Sequence, residues 1–232
     1  MTGQNRSSAV MQQRAEPHDS LDYFPTPPWA TRALCEILKQ THPLHLFEAW
    51  EPACGEGHMA RPLGEYFDRV HATDVHDYRA AFANQCSVCD FLIDWLVPHQ
   101  LAARNPDWII TNPPFRQAEK FIRQARDRSE IGCAMFVRGA FLEGQARYLN
   151  LFSKLPPARI LQFTERVPLL KGRLDRDGST ATAYCWLVWE HGHSGPPVFD
   201  WIAPCRKALE RGSDYGRDLG PPEPLPLLEG GP

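Results

Sequence analysis

Residues 47–57 read FEAWEPACGEG, a short apolar segment that runs into a turn with two glycines. The segment predicts a buried β-strand, and Gly55 and Gly57 let backbone N–H groups approach a ligand where a Cβ atom would clash. The turn carries Glu51 and Glu56 but no lysine, which excludes a phosphate-binding loop of the GxxxxGK(S/T) type. Acidic residues beside this turn favour a cationic ligand.

Strands and helices are predicted to alternate on both sides of this turn. We predict strands at 44–50, 69–73, 85–88, 108–111, 132–137, 159–165 and 181–190, and helices at 29–39, 58–67, 117–128 and 142–151. This alternation is typical of an α/β domain with a mainly parallel sheet. No helix separates the last two strands, so we predict an antiparallel hairpin at one edge, joined by the charged loop 166–180.

The composition of the chain is that of a soluble globular protein. It has 232 residues, 43% of them hydrophobic, and a formal net charge of −3. Neither a secretory signal nor an apolar run long enough for a transmembrane helix occurs, and the odd number of cysteines predicts reduced thiols in the cytoplasm. We predict a disordered tail at 1–19, one domain at 20–217 and a Pro-rich disordered tail at 218–232.

Acidic residues follow the second and third predicted strands. Asp74 comes seventeen residues after Gly57, at a strand tip where a carboxylate accepts hydrogen bonds from ribose hydroxyls. A helix cap or turn residue is the alternative for Asp74. Asp90 and Phe91 follow the next strand, where they suit the amine and ring face of an adenine, or equally a helix cap and a core residue.

Residues 107–115 read DWIITNPPF, a buried strand that delivers Asn112 to the carboxyl edge of the sheet. Two prolines then stiffen the turn and remove two N–H donors, which leaves the Pro113 carbonyl as a fixed acceptor. An amide oxygen and a backbone oxygen can both accept from one –NH2 group and free its lone pair for attack. Phe115 offers a flat apolar face to a planar ring.

These motifs resemble those of S-adenosylmethionine-dependent amino-methyltransferases of the adenine-N6 DNA type. Residues 51–57 resemble the family's cofactor motif, and residues 112–115 resemble its catalytic motif. The resemblance implies S-adenosylmethionine as cofactor and a Rossmann-like, seven-stranded mixed sheet with an antiparallel edge strand and helices on both faces. It implies a catalytic set of Asn112, Pro113, Pro114 and Phe115, and a cofactor-binding set that includes Glu51, Ala53, Gly55, Gly57, Asp74, Asp90 and Phe91.

The order of the motifs resembles the gamma group, in which a further cofactor-binding segment lies upstream. Residues 22–28, DYFPTPP, resemble that segment, which implies that Phe24, Thr26 and Pro27 line the methionine end of the cofactor. Residues 138–144, 164–168 and 186–189 resemble small stand-alone methyltransferases of phages and prophages. Too few residues follow the last predicted strand for a separate target-recognition domain, so we expect loop 166–180, the N-terminal arm and the helix after Phe115 to recognise the target.

The net charge conceals two segments of opposite sign. Residues 46–107 contain ten acidic and four basic residues, a charge of −6, whereas residues 113–177 contain thirteen basic and seven acidic residues, a charge of +6. A basic segment suits a phosphate backbone, and solvated helix faces are the alternative. We therefore predict DNA, or RNA, as the partner, bound by Arg116, Arg123, Lys171, Arg173 and Arg176.

Alternatives to this prediction stay open. The NPP-aromatic motif also serves methyltransferases that act on protein glutamine or on guanine in RNA. The chain could instead be a methyltransferase-like binding subunit that no longer turns over. Cys86 and Cys89 form a CxxC pair, but no second pair stands at zinc-finger spacing, so we predict no bound metal.

Overall fold

A computed structural model of the protein describes residues 22–93, 98, 101 and 103–215. The two predicted tails lie outside these residues. The described helices and strands alternate along the chain as the α/β prediction requires. None of the described helices is long and apolar enough to cross a membrane.

The described strands form a single mixed sheet in the order β3-β2-β1-β4-β5-β7-β6-β8. Neighbours from β3 to β5 are parallel, β7 runs antiparallel to both β5 and β6, and β8 is parallel to β6. The predicted antiparallel pairing of the last two strands is therefore confirmed. The bounds are β1 Glu48–Glu51, β2 Arg69–Asp74, β3 Ser87–Val88, β4 Trp108–Thr111, β5 Gly132–Arg138, β6 Arg159–Phe163, β7 Tyr184–Glu190 and β8 Val198–Ile202.

The predicted fold class is confirmed, but two details of the sheet differ from the prediction of seven strands with an antiparallel strand at the edge. The described residues contain an eighth strand, β8, which lies at the edge, and the antiparallel strand β7 lies inside the sheet. The reason is burial: β7 is buried at six of its seven positions, as an interior strand must be, whereas β8 is exposed at four of five. Because β8 is short and follows a Gly- and Pro-containing stretch, its sequence resembles a loop.

Helices cover both faces of the sheet, as predicted. Successive residues of β4 alternate: Trp108 and Ile110 pack in the cluster that contains α1, whereas Ile109 packs in the cluster that contains α3. The helices are α1 Pro28–Leu38, α2 Ala60–Leu63, α3 Ala118–Arg128, α4 Gln145–Arg147 and α5 Arg206–Leu209.

Two predicted helices are shorter or more irregular than expected. The helix expected at 58–67 is reduced to α2, which ends at Gly64 as its C-cap. The helix expected at 142–151 is replaced by α4, which begins after Gly144 at a φ of +111°, and by a π-helix at Tyr148–Phe152. Glycine at both interruptions disfavours a continuous α-helix, because its backbone loses more entropy there than any other.

The parallel strands bring their carboxyl ends to one edge of the sheet. This edge receives Glu51 from β1, Asp74 from β2 and Arg138 from β5, and Asn112 follows β4 there directly. Open α/β sheets bind ligands outside the carboxyl ends of their strands. The topology therefore assembles the predicted cofactor and catalytic motifs side by side.

Candidate functional site

The glycine turn after β1 has the backbone geometry that only glycine adopts easily. Gly55 has a φ of +50° and Gly57 a φ of +78°. A Cβ atom added at Gly55 would lie 2.4 Å from the ring of Tyr23, and one added at Gly57 would lie 2.6 Å from the ring of Phe82. Both glycines are therefore required by conformation and by close packing, and the Tyr23 ring lies directly against the turn.

Two buried carboxylates flank this turn. Glu51 is 2% exposed, and its Oε2 is buried without a partner. Burial, and then the charge of Asp74, raise the pKa of Glu51 well above its ordinary value. A buried, unpartnered carboxylate oxygen is costly, and a proton or a cationic ligand group offsets that cost.

Asp74 holds the glycine turn in place. Its two carboxylate oxygens accept hydrogen bonds from the backbone N–H groups of Gly55 and His76, each at 2.9 Å. Burial raises the pKa of Asp74, although these hydrogen bonds oppose the shift. The turn role considered for Asp74 is thus present, and each oxygen keeps a second lone pair for a further donor.

The structure separates the other predicted cofactor residues. Ala53 is half-buried in the glycine turn, and the carboxylate of Asp90 accepts from the N–H of Leu92 in a local turn. The ring of Phe91 is 1% exposed, since it packs against Trp50 and Phe121 at centroid distances of 5.0 and 4.9 Å. The prediction that Phe91 offers a ring face to a cofactor is therefore corrected: Phe91 is a core residue.

Asn112 has a defined orientation at the end of β4. Its Nδ2 donates to the Phe24 carbonyl at 2.9 Å and to Thr26 Oγ1 at 3.0 Å. A carbonyl only accepts, so the –NH2 end of the amide must face the N-terminal segment and Oδ1 must face away from it. The predicted acceptor in the following turn is the Pro113 carbonyl. Within the described residues no backbone N–H donates to it, whereas the Pro114 carbonyl accepts from the N–H of Gln117.

Phe115 is held from several directions. Its backbone N–H donates to Asp22 Oδ2 at 2.7 Å, and its ring centroid lies 5.0 Å from that of Phe24. The guanidinium carbon of Arg138 lies 3.9 Å from the centroid of the Phe115 ring, over its face. One face of Phe115 is thus already covered, which the sequence did not indicate.

The N-terminal segment, residues 22–28, joins the motifs to one another. Tyr23 packs on the glycine turn, and its carbonyl accepts from Gly172 N at 2.9 Å, which attaches loop 166–180. Phe24 and Thr26 orient Asn112, and Pro27 caps α1. The segment therefore contacts the cofactor motif, the catalytic motif and the basic loop at once.

The predicted nucleic-acid residues are exposed, but they do not all lie near Asn112. Arg116 directly follows the catalytic motif, and Lys171 and Arg173 flank the glycine that bonds to Tyr23. Arg123 pairs with Glu119 at 3.0 Å and donates to the Asn150 carbonyl, whereas Arg176 pairs with Glu210 at 3.3 Å. Arg123 and Arg176 therefore also make hydrogen bonds and ion pairs within the protein.

Sequence reasoning gave no individual role to four residues at this site: Asp22, Tyr23, Arg138, and Tyr184, which is the register partner of Arg138 in β7. Arg138 had a usable signal, since it is the first charged residue after the apolar run of β5 and so falls at the ligand-binding edge. The contacts of the other three depend on tertiary packing between segments far apart in the chain.

The cysteine pair lies close to β3. Cys86 is exposed and donates to the Ala72 carbonyl, Cys89 is buried, and burial raises the pKa of both thiols. Across the described ranges, no group of three or more His, Cys, Asp or Glu side chains could hold a metal ion.

The fold is similar to solved methyltransferase structures. The modification subunit of a provisionally assigned type I restriction enzyme from Vibrio vulnificus YJ016 has a TM-score of 0.55 at 15% identity, over 90% of this chain and 53% of that chain. A type I restriction-modification methyltransferase subunit from Streptococcus thermophilus has a TM-score of 0.58 at 12% identity, over 83% and 49%. A provisionally assigned RNA methyltransferase from Pyrococcus horikoshii has a TM-score of 0.54 at 15% identity, over 78% and 94%.

The comparisons define a shared architecture. No protein-family model matches the chain, and no curated protein sequence matches it either. The chain spans about half the length of the two modification subunits. At identities of 12–15% the similarity extends to the fold. We conclude that the chain has the Rossmann-like α/β fold of these methyltransferases.

Proposed function

We propose that the protein is an S-adenosylmethionine-dependent methyltransferase that modifies the exocyclic N6 amine of adenine in DNA. The observation that carries the proposal is the orientation of Asn112. Its amide –NH2 is committed to Phe24 and Thr26, so that Oδ1 is the end left for a substrate amine. The fold shared with methyltransferases and the adjacent acidic glycine turn support the same conclusion.

The acidic edge of the sheet fits a cationic cofactor. S-Adenosylmethionine, when bound, supplies an electrophilic methyl group on a sulfonium centre. Glu51 carries a buried oxygen without a partner, which suits the cofactor's ammonium, and Asp74 keeps free lone pairs for ribose hydroxyls. Gly55 and Gly57 give the turn that contains Ala53 its positive-φ backbone. Phe24, Thr26 and Pro27 belong to the N-terminal segment that packs on this turn through Tyr23, and Asp90 follows β3 at the carboxyl ends of the parallel strands.

The target adenine leaves the duplex stack, as bases modified by enzymes must, and stacks on Phe115. Its N6 amine donates to Asn112 Oδ1 and to the Pro113 carbonyl, while Pro114 keeps the turn rigid. Both acceptors draw the nitrogen towards a tetrahedral geometry and free its lone pair. The nitrogen then bonds to the methyl carbon as the carbon–sulfur bond breaks, and the amine loses one proton to water.

RNA is the second candidate substrate. The similarity to the Pyrococcus horikoshii protein favours it, because that protein is matched over 94% of its own length. The catalytic residues act on an exposed amine in the same way in either nucleic acid.

The substrate is best identified by direct transfer. Purified protein is incubated with tritiated S-adenosylmethionine and with separate DNA, RNA and protein pools from a bacterial host that lacks DNA methylation. We expect label in the DNA pool, and single-molecule sequencing of DNA from that host after expression should show N6-methyladenine at a defined sequence. Label in RNA or protein alone would overturn the DNA proposal, and cofactor binding without transfer to any pool would favour an inactive binding subunit.

Affinity for S-adenosylmethionine should rise with pH through the raised pKa of Glu51. Below that pKa the carboxyl carries a proton and cannot pair with a cation, whereas above it the ionised form can. Calorimetric titration at a series of pH values below about 7.7, where the α-amino group of the cofactor keeps its proton, measures the dependence. Glu51→Gln should weaken binding and flatten the curve, whereas Glu56→Gln, which removes a 43% exposed carboxylate from the same turn, should leave the slope in place. An unchanged slope in Glu51→Gln would exclude this role.

The basic residues of loop 166–180 should bind the phosphate backbone. The double variant Arg173→Ala and Arg176→Ala should weaken DNA binding about tenfold at 100 mM salt and reduce the salt slope by about two. Filter binding across 50–300 mM salt gives both quantities. Arg69→Ala is the matched control, because Arg69 begins β2 and so lies at the amino ends of the parallel strands, opposite the site. Binding and slope identical to those of the parent protein would remove loop 166–180 from the DNA interface.

A further inference from the structure

Arg138 ends β5 next to the catalytic motif. Strand β5 pairs with β4, which leads into Asn112, and Arg138 itself is paired with Tyr184 of β7. Its guanidinium carbon lies 3.9 Å from the centroid of the Phe115 ring and 5.9 Å from that of Phe24. A cation at this distance over an aromatic face is attracted by the ring, more strongly when the contact is shielded from water.

The guanidinium is anchored on its other side. Arg138 is the register partner of Tyr184 in the pairing of β5 with β7. Burial raises the pKa of the Tyr184 hydroxyl and the charge of the neighbouring Arg138 opposes that rise, and the Tyr184 ring stacks on Phe136 at 5.1 Å with an interplanar angle of 5°. The Nε atom of Arg138 is buried and has no partner. A buried donor without an acceptor is unfavourable, so the side chain is kept in this position by its stacking and by Tyr184 rather than by Nε.

The backbone of Phe115 is fixed separately from its ring. The N–H of Phe115 donates to Asp22, whose charge also lies close enough to Tyr184 to raise the pKa of that hydroxyl, in addition to the larger effect of burial. Asp22 thus contacts Phe115 at its N–H, Phe24 contacts its ring at a tilt of 45°, and Arg138 covers one ring face. Because Arg138 covers that face, a further planar ring would have to stack on the other one.

We propose that Arg138 is a positioning residue that backs the Phe115 ring and assigns its opposite face to the flipped base. This inference rests on the function proposed above. The rival arrangement is a guanidinium that occupies the place of the base and leaves when the base arrives. The stacking on Phe115 and the pairing with Tyr184 favour the fixed backing, because they contact Arg138 from both sides.

The two arrangements predict opposite effects of removing the guanidinium. Arg138→Met keeps an unbranched stem but loses the charge and the planar group. If Arg138 backs Phe115, the variant should raise the KM for DNA about tenfold, because the ring loses its fixed orientation. If Arg138 occupies the base site, the same variant should lower the KM, because a competitor has been removed.

The experiment measures kcat and KM for transfer of tritiated methyl groups to genomic DNA from a methylation-free host. Arg138→Lys, which restores the charge without the planar group, should recover part of the loss. Tyr184→Phe, which removes only the hydroxyl next to the guanidinium, should raise the KM less than Arg138→Met. Arg69→Met, which removes an arginine at the opposite edge of the sheet, is the control. Calorimetry with S-adenosylmethionine and thermal melting verify cofactor binding and folding in each variant.

A raised KM with unchanged cofactor affinity and partial recovery in Arg138→Lys would support the backing role. A lowered or unchanged KM in Arg138→Met would overturn it while leaving the proposed function intact. If Arg138→Met does not fold, Tyr184→Phe and Arg138→Lys decide, and parent values in both overturn the role. A parent protein that binds the cofactor but labels no DNA overturns the proposed function, and the backing role falls with it.

Discussion

Replacement of Asn112 by alanine is expected to lower the rate of methyl transfer about 10³-fold. Oδ1 is one of two rigid acceptors available to the substrate amine, and it is oriented before substrate arrives, because Phe24 and Thr26 hold the amide –NH2. Such an interaction needs no reorganisation during the reaction, which is why its loss is costly. The Pro113 carbonyl alone cannot make up for it, since a single acceptor leaves the amine free to rotate.

Single-turnover transfer to DNA measures the rate, and calorimetry measures cofactor affinity in the same variant. The affinity should change by less than about threefold, because Asn112 polarises the amine rather than binding the cofactor. Thr26→Val is the graded comparison: it removes one of the two acceptors that orient the amide but leaves Asn112 itself, so the rate should fall about tenfold. A rate in Asn112→Ala within tenfold of the parent value would exclude this mechanism.

The parts of the site that sequence predicted are those set by local backbone chemistry. Gly55 and Gly57 were expected at a ligand-binding turn, and both have the positive φ that such a turn needs. Asn112 was expected at the carboxyl edge, and β4 delivers it there. In each case a few neighbouring residues determine the geometry, so a single sequence suffices.

The parts that sequence did not predict depend on contacts between distant segments. The acceptors that orient Asn112 lie 88 and 86 residues before it. Phe91 follows a strand as a cofactor residue would, but only the packing of Trp50 and Phe121 shows that its ring faces the core. Strand β8 was missed because its edge position leaves most of its side chains exposed, so that no alternation with a buried face marks it.

Replacement of Arg32 by methionine is expected to lower the free energy of unfolding by about 3–5 kcal/mol. Arg32 is 4% exposed on α1, and its guanidinium makes two hydrogen bonds to Glu65 and two to Asp214, all between 2.8 and 2.9 Å. The variant leaves two buried carboxylates that have lost these donors. Arg211 still pairs with Glu65 at 3.0 Å in the variant. The loss of Arg32 therefore leaves the charge of Asp214 less well compensated than that of Glu65.

Urea unfolding of the parent and the variant gives the difference directly. Arg69→Met is the matched control, because Arg69 is 62% exposed and its pair with Glu48 should contribute less than about 1 kcal/mol. The triple variant Arg32→Met, Glu65→Gln and Asp214→Asn should recover part of the loss, since the uncompensated charges are removed with the cation. Arg32 lies four residues after the end of the segment that orients Asn112, so the free energy of unfolding and the transfer rate must be measured separately. If the network only stabilises the fold, folded Arg32→Met will transfer methyl groups at the parent rate at 15 °C. A free energy of unfolding within 1 kcal/mol of the parent value would show that Arg32, Glu65 and Asp214 contribute little to stability.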